Sequence, residues 1–106
     1  MKKRHSLSIG ANLDDLLEKS EKVAFIFNQL SHAVRLQIMC CLSEGEKSVG
    51  ELAAYCKLSQ PNTSQFLARM KKGGLVSSQR NGQTVYYRIH DPRVLDLLVS
   101  VKTLFC

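Results

Sequence analysis

The chain has 106 residues, 44% of them hydrophobic and 23% charged, with a formal net charge of +6. That length suits one domain with a single core and leaves little room for an enzyme cleft. No apolar run approaches the ~18 residues that a membrane span needs, and the composition is that of an ordinary soluble globular domain.

The first residues, Met1-Lys2-Lys3-Arg4-His5, are basic as a signal peptide would be. Asp14, Asp15 and Glu18 arrive where its apolar stretch should continue, so no secretion signal is read and a cytoplasmic location is expected. Residues 1–11 read as a flexible basic tail, and residues 12–106 as one domain without repeats or linkers. The first helix is predicted from about Asn12 to Leu30, with Leu13, Leu16, Leu17, Val23, Phe27 and Leu30 at three- to four-residue spacings. Ser31 is the expected N-cap of a second helix, His32 to about Ser43, closed by Gly45.

Ser48-Val49-Gly50-Glu51 has the form of a capping box and opens a third helix, ending near Lys57. Ser59 then caps a fourth, which carries Pro61 in its first turn, reaches about Lys72 and stops at Gly73-Gly74. Two short helices joined by about three residues form the helix-turn-helix pattern. Beyond it, Asn81-Gly82 separates two β-prone runs, Leu75–Arg80 and Gln83–Ile89. The pair signals a tight hairpin in which both turn residues take positive φ. Asp91 and Pro92 start a last helix, Arg93 to about Phe105, too apolar to lie against one small core. Its surplus apolar surface, with that of the first helix, points to a symmetric homodimer. The expected fold is therefore mainly α with a β-hairpin: a dimeric winged helix-turn-helix of five helices plus a wing.

The charge is concentrated. Leu52 to His90 holds Lys57, Arg69, Lys71, Lys72, Arg80 and Arg88 and no acidic residue, whereas the rest of the chain carries nine residues of each sign. Single-sign segments are more often solvated faces than sites, but a basic segment on a helix-turn-helix is what double-stranded DNA requires. The second helix of that motif lies in the major groove with its N-terminal residues on base edges. Those residues are Ser59, Gln60, Asn62, Thr63, Ser64 and Gln65, with Ser48 opening the preceding helix. Gln and Asn can each pair with adenine, and Ser and Thr can serve bases or phosphates. Capping and solvation are the simpler roles for the same residues. Arg69 is placed to reach phosphate, and Arg80 and Gln83 flank the hairpin tip and would enter a minor groove or touch its backbone. Of Tyr86 and Tyr87, which alternate faces, one is expected in the core.

Several segments in order resemble the ArsR family of dimeric winged-helix repressors. They are Leu30–Ile38, Ser48–Leu52, Leu58-Ser59-Gln60, Ser64–Leu67, Gly74-Leu75-Val76 and Gln83–Arg88, within residues 12–106. The resemblance implies binding to double-stranded operator DNA without inducer and release when a metal or oxidant arrives. Cysteines that metal-sensing members carry after Glu-Leu are replaced here by Ala53-Ala54-Tyr55, and a metal set on the last helix is represented by Asp91 alone, which reads as a cap. Cys40 and Cys106 are similar to the two-cysteine switch of the sulfide- and redox-sensing BigR/SqrR/HlyU-like branch. Carried over, the two would be joined as a disulfide or polysulfide, with reactive sulfur or an oxidant as inducer. The chain ends on Cys106, which would set a carboxylate beside its thiol. Cys41 and Cys56 read as packed small hydrophobes.

A metal-responsive repressor using Cys40, Cys41 or Cys106 with His90 or His32 is an alternative weakened by the absence of ligand spacing. A winged-helix protein-interaction module is another, set against by the intact polar, basic recognition helix. No catalytic set is recognisable, and no metal-binding residues or cofactor are assigned.

Overall fold

The computed structural model describes the backbone of residues 2–106 and the side chains of residues 13–106. Helix α1 (Lys2–Leu30) begins ten residues before the Asn12 expected from its apolar spacing. The side chains of the expected basic tail, residues 1–11, lie outside those described. From Leu13 onward α1 is mostly exposed, including Leu13, Leu16, Leu17, Phe25 and Phe27, and it reaches the core only through Leu30 and the half-buried Ile26.

Helix α2 (Ala33–Leu42) follows at once, and its N-cap is His32 rather than Ser31. The reason is local competition. Ser31 Oγ donates to the Asn28 carbonyl at 2.6 Å, closing α1, so the His32 Nδ1 is left to accept from Val34 N–H at 3.2 Å. Ile38, Met39, Cys41 and Leu42 turn inward from α2 and form the middle of the core.

A strand absent from the sequence expectations comes next: β1 (Lys47–Ser48), two residues paired antiparallel with Tyr87 and Tyr86. Ser48 then serves as N-cap of α3 (Val49–Cys56), and both halves of its capping box are present: Ser48 Oγ accepts from Glu51 N–H and Glu51 Oε1 accepts from Ser48 N–H. The helix ends in a left-handed residue, Lys57 at φ 57°, with Leu58 N–H on the Ala53 carbonyl and Lys57 N–H on the Ala54 carbonyl. This is the Schellman arrangement that glycine normally serves.

Three residues later α4 (Gln60–Lys72) begins, capped by Ser59. Its inner face, Thr63, Leu67 and Met70, is fully buried, while Phe66 is half-buried with its ring 5.3 Å from that of His32. The wing is β2 (Val76–Asn81) and β3 (Thr84–Ile89), so the sheet has the order β1-β3-β2. Asn81 pairs with Thr84, leaving Gly82-Gln83 as the two-residue loop, and only Gly82 has positive φ, at 66°. The expected Asn81-Gly82 turn is thus shifted by one residue. A glycine in the first loop position alone supplies the twist that a hairpin needs.

Helix α5 (Pro92–Phe105) is capped by Asp91 and buries Val94 and Leu98. Val99, Leu104 and Phe105 remain exposed, the last at 82%. Five helices and a winged sheet are present as expected, with apolar surface left uncovered on α1 and α5.

Candidate nucleic-acid interface and thiol pair

Three chain segments meet at an open cleft of about 430 Å³: the start of α3 (Ser48, Val49, Gly50), the start of α4 (Gln60, Ser64) and the wing tip (Gln83, Thr84, Val85). Ser48 is held there twice, by its pairing with Tyr86 and by the capping box. Its hydroxyl oxygen accepts from Glu51, which leaves its O–H free to donate outward. Gln60 lies across the same cleft, where a Cβ added at Gly50 would sit 3.5 Å from its amide nitrogen. That is ordinary van der Waals distance, so the two helix starts lie close together at this point.

Of the other expected contact residues, Asn62, Ser64, Gln65, Arg69, Arg80 and Gln83 are exposed. Ser59 is exposed but its oxygen is occupied, accepting from Asn62 N–H at 3.2 Å. Thr63 is a correction: it is 0% exposed, and its hydroxyl donates to the Ser59 carbonyl at 2.9 Å. It points into the core one-third of a turn away from Asn62 and Ser64, so it stabilises α4 from within instead of meeting a ligand. Helical spacing carried that signal, since Thr63, Leu67 and Met70 lie on one stripe.

Among the described residues, the ion pairs are Lys19–Asp15, Arg93–Asp91 and Lys102–Glu44, so none of the six cations between Leu52 and His90 is neutralised by a carboxylate. Two are tied to serines: Lys71 Nζ donates to Ser78 Oγ at 2.7 Å, and Arg88 Nε to Ser77 Oγ at 3.3 Å. The first of these bonds the end of α4 to the wing, which makes helix and hairpin one surface. Sequence reasoning missed Thr84, Gly50 and this clasp, because each depends on how separate elements pack: the wing tip against the helix starts, α3 against α4, and α4 against β2.

The four cysteines are free thiols. Cys41 is buried and Cys56 half-buried in the core, as small hydrophobes. Cys40 is half-buried on α2 and Cys106 exposed at the end of α5, and α2 packs on α5. Burial pushes the Cys40 thiol up, the neighbouring Cys106 pushes it further, and Lys102 opposes both. Burial pushes the Cys41 thiol, one residue on, up as well, and the charges bearing on it are Lys47, Glu44, Glu51 and Lys102 but not Cys106. Adjacent helical residues diverge in this way, and Cys40 is the one turned toward the end of α5.

Residues 32–78 match the model of the bacterial regulatory protein, arsR family. The chain is 37% identical over 93 residues to the biofilm growth-associated repressor of Xylella fastidiosa, covering 88% of this chain and 82% of that protein. Its fold superposes on the crystal structure of the transcriptional regulator HlyU from Vibrio vulnificus CMCP6 with a TM-score of 0.81, at 38% identity and covering 90% of this chain and 99% of that one. The homodimeric winged helix-turn-helix domain of Mb0332 from Mycobacterium bovis is also similar, with a TM-score of 0.70 at 32% identity over 88% of this chain and 83% of that one.

Proposed function

The chain belongs to the ArsR family of bacterial regulatory proteins and is a winged helix-turn-helix transcriptional regulator; we propose that it represses by binding operator DNA as a homodimer and lets go when Cys40 and Cys106 become linked. The observation that carries the DNA-binding part is the cleft, which gathers Ser48, Gln60, Ser64 and Gln83 on one face; the six cations between Leu52 and His90 have no carboxylate partner among the described residues. Gln60, Asn62, Ser64 and Gln65 read base edges in the major groove. Arg69 meets phosphate, Ser48 donates to the backbone, and Arg80 and Gln83 bring the wing to the neighbouring groove. Ser59 acts through its cap on α4.

The homodimer is supported by the homodimeric relative and by the uncovered Leu16, Leu17, Phe27, Val99, Leu104 and Phe105 on α1 and α5. A two-fold dimer sets two copies of α4 on half-sites about 10 base pairs apart. Its setting is the cytoplasm, where thiols rest reduced.

The switch is supported by Cys40 and Cys106 lying within electrostatic reach of each other on packed helices. With a disulfane, H–S–S–H, as the cue, the Cys40 thiolate attacks one sulfur and expels hydrosulfide. The Cys106 thiolate then attacks the Cys40 sulfur and expels the second. Two thiols and one disulfane thus give one Cys40–Cys106 disulfide and two molecules of hydrogen sulfide, the thiols being oxidised and the disulfane sulfurs reduced. A longer polysulfide leaves extra sulfur between the two Sγ atoms. Either link ties the end of α5 to α2 and draws the dimer away from its DNA-binding shape.

The DNA-binding part is tested by titrating duplex DNA from upstream of the protein's own gene over a range of salt. Log affinity falls linearly with log salt for phosphate-driven binding, and a salt-independent complex contradicts the assignment.

A further inference from the structure

Lys102 Nζ donates to Glu44 Oε2 at 2.9 Å, a contact between residues 58 positions apart that joins the last turn of α5 to the exit of α2. The Lys102 carbonyl accepts from Cys106 N–H at 2.9 Å, so the same residue holds the backbone that carries one thiol. The residue before Glu44 holds the other: Ser43 Oγ donates to the Cys40 carbonyl at 2.6 Å. Although lysines usually extend into water, the Lys102 side chain is only 32% exposed and lies along the protein.

We propose that Lys102 is a positioning residue of the thiol pair: clasped by Glu44, it holds its ammonium at the junction of α5 with the α2 exit, one turn beyond Cys40, while its carbonyl fixes the turn that ends on Cys106. This rests on the reading of Cys40 and Cys106 as the switch and names what sets their reactivity.

The charged and titratable groups around this point come from four elements, β1 supplying Lys47, which bears on Glu44. α5 supplies Lys102 and Cys106, the α2 exit supplies Glu44, and α3 supplies Tyr55, which bears on Lys102. Burial and Cys106 both disfavour a charged Cys40 sulfur, and Lys102 is the group that favours it. Since the thiolate is the nucleophile in sulfur exchange, loss of the ammonium leaves Cys40 a poorer one. Glu44 has a separate part. Held below its usual range by the hydrogen bond from Lys102, it remains ionised and keeps the ammonium from swinging into solvent.

The test uses the full, reduced protein and iodoacetamide, following carbamidomethylation of the Cys40 peptide by mass spectrometry from pH 6.5 to 10. Lys102→Gln is expected to slow Cys40 by about three- to tenfold at pH 7.5 and to move its pH profile upward, with Lys102→Arg restoring both. The exchange Glu44→Lys with Lys102→Glu re-forms an ion pair but sets a carboxylate where the ammonium stood. It is expected to retain the melting temperature and to react more slowly than Lys102→Gln. An unmoved profile in Lys102→Gln, or wild-type reactivity in the exchanged pair, overturns the proposal, because a plain clasp is rescued by either polarity. Alkylation needs no oxidant, so failure of the switch registers separately. If polysulfide leaves DNA binding unchanged while the alkylation profile still depends on Lys102, the positioning role stands and the switch falls.

Discussion

Thr63 and Ser59 are bound to each other twice: both the backbone N–H and the hydroxyl of Thr63 donate to the Ser59 carbonyl, at 3.0 and 2.9 Å. This pairing satisfies the Thr63 hydroxyl inside the core, where Thr63, Leu67 and Met70 form the buried stripe that sets the rotation of α4. With Thr63 locked inward, Gln60, Asn62, Ser64 and Gln65 face solvent together.

The first prediction separates these two faces. Thr63→Val keeps the shape but removes a buried hydroxyl that has a partner, and is expected to destabilise the fold by about 1 kcal/mol while leaving sequence preference unchanged. Gln60→Ala or Asn62→Ala is expected to do the reverse, weakening a cognate site by about 1–3 kcal/mol without a change in melting temperature. Denaturant unfolding and competition binding against unrelated DNA measure the two effects.

Arg69 is exposed and has no carboxylate partner among the described residues. Arg69→Ala is expected to weaken cognate and unrelated DNA alike and to lower the slope of log affinity against log salt by roughly 1. A loss confined to one sequence contradicts its assignment to phosphate.

Lys57 holds the left-handed position of the turn between α3 and α4, at φ 57°. A side chain there costs about 1–2 kcal/mol, and glycine returns part of that gain through the entropy of the unfolded chain. Lys57→Gly is therefore expected to raise stability by about 0.5–1 kcal/mol, read from the shift in denaturation midpoint. A destabilised variant contradicts the strain.

Asp91 caps α5 and pairs with Arg93, whose guanidinium and N–H hold the carboxyl down at about 2. A carboxyl lowered on folding stabilises the fold above its ordinary value of 3.8, and that contribution is lost as pH falls toward about 2. Asp91→Asn still caps the helix but cannot pair with Arg93 as an ion. The melting temperature of the wild type is expected to exceed that of the variant at pH 6, with the gap closing between pH 4 and pH 2. A gap independent of pH assigns the effect to capping geometry. The pair is exposed on the arginine side, at 70%, so the gap is small.

What could be read from the sequence was what is decided locally. Ser48, Ser59 and Asp91 announce helix starts because a cap needs only its own first turn, and the structure places all three there. His32 displaced Ser31 because two helices share one break, and a single hydroxyl can close only the first. The hairpin was legible, but its loop moved by one residue because the ladder runs on to Asn81 and Thr84. Strand β1 was not legible: two residues have no periodicity, and they become a strand only by lying against Tyr86 and Tyr87. On the candidate reading face, polar residue type suggested Thr63, and helix facing excluded it. The Glu44–Lys102 clasp beside Cys40 left no trace in either local sequence, since its two members meet only after α5 returns to α2.

The measurement that bears most directly on the proposed mechanism is binding of the protein to its own upstream DNA, fully reduced against polysulfide-treated, with mass spectrometry of the Cys40 and Cys106 peptides. Release of DNA together with a Cys40–Cys106 link, both abolished by Cys40→Ser, is the expected result; unchanged binding after treatment contradicts the switch and leaves a DNA-binding regulator without it.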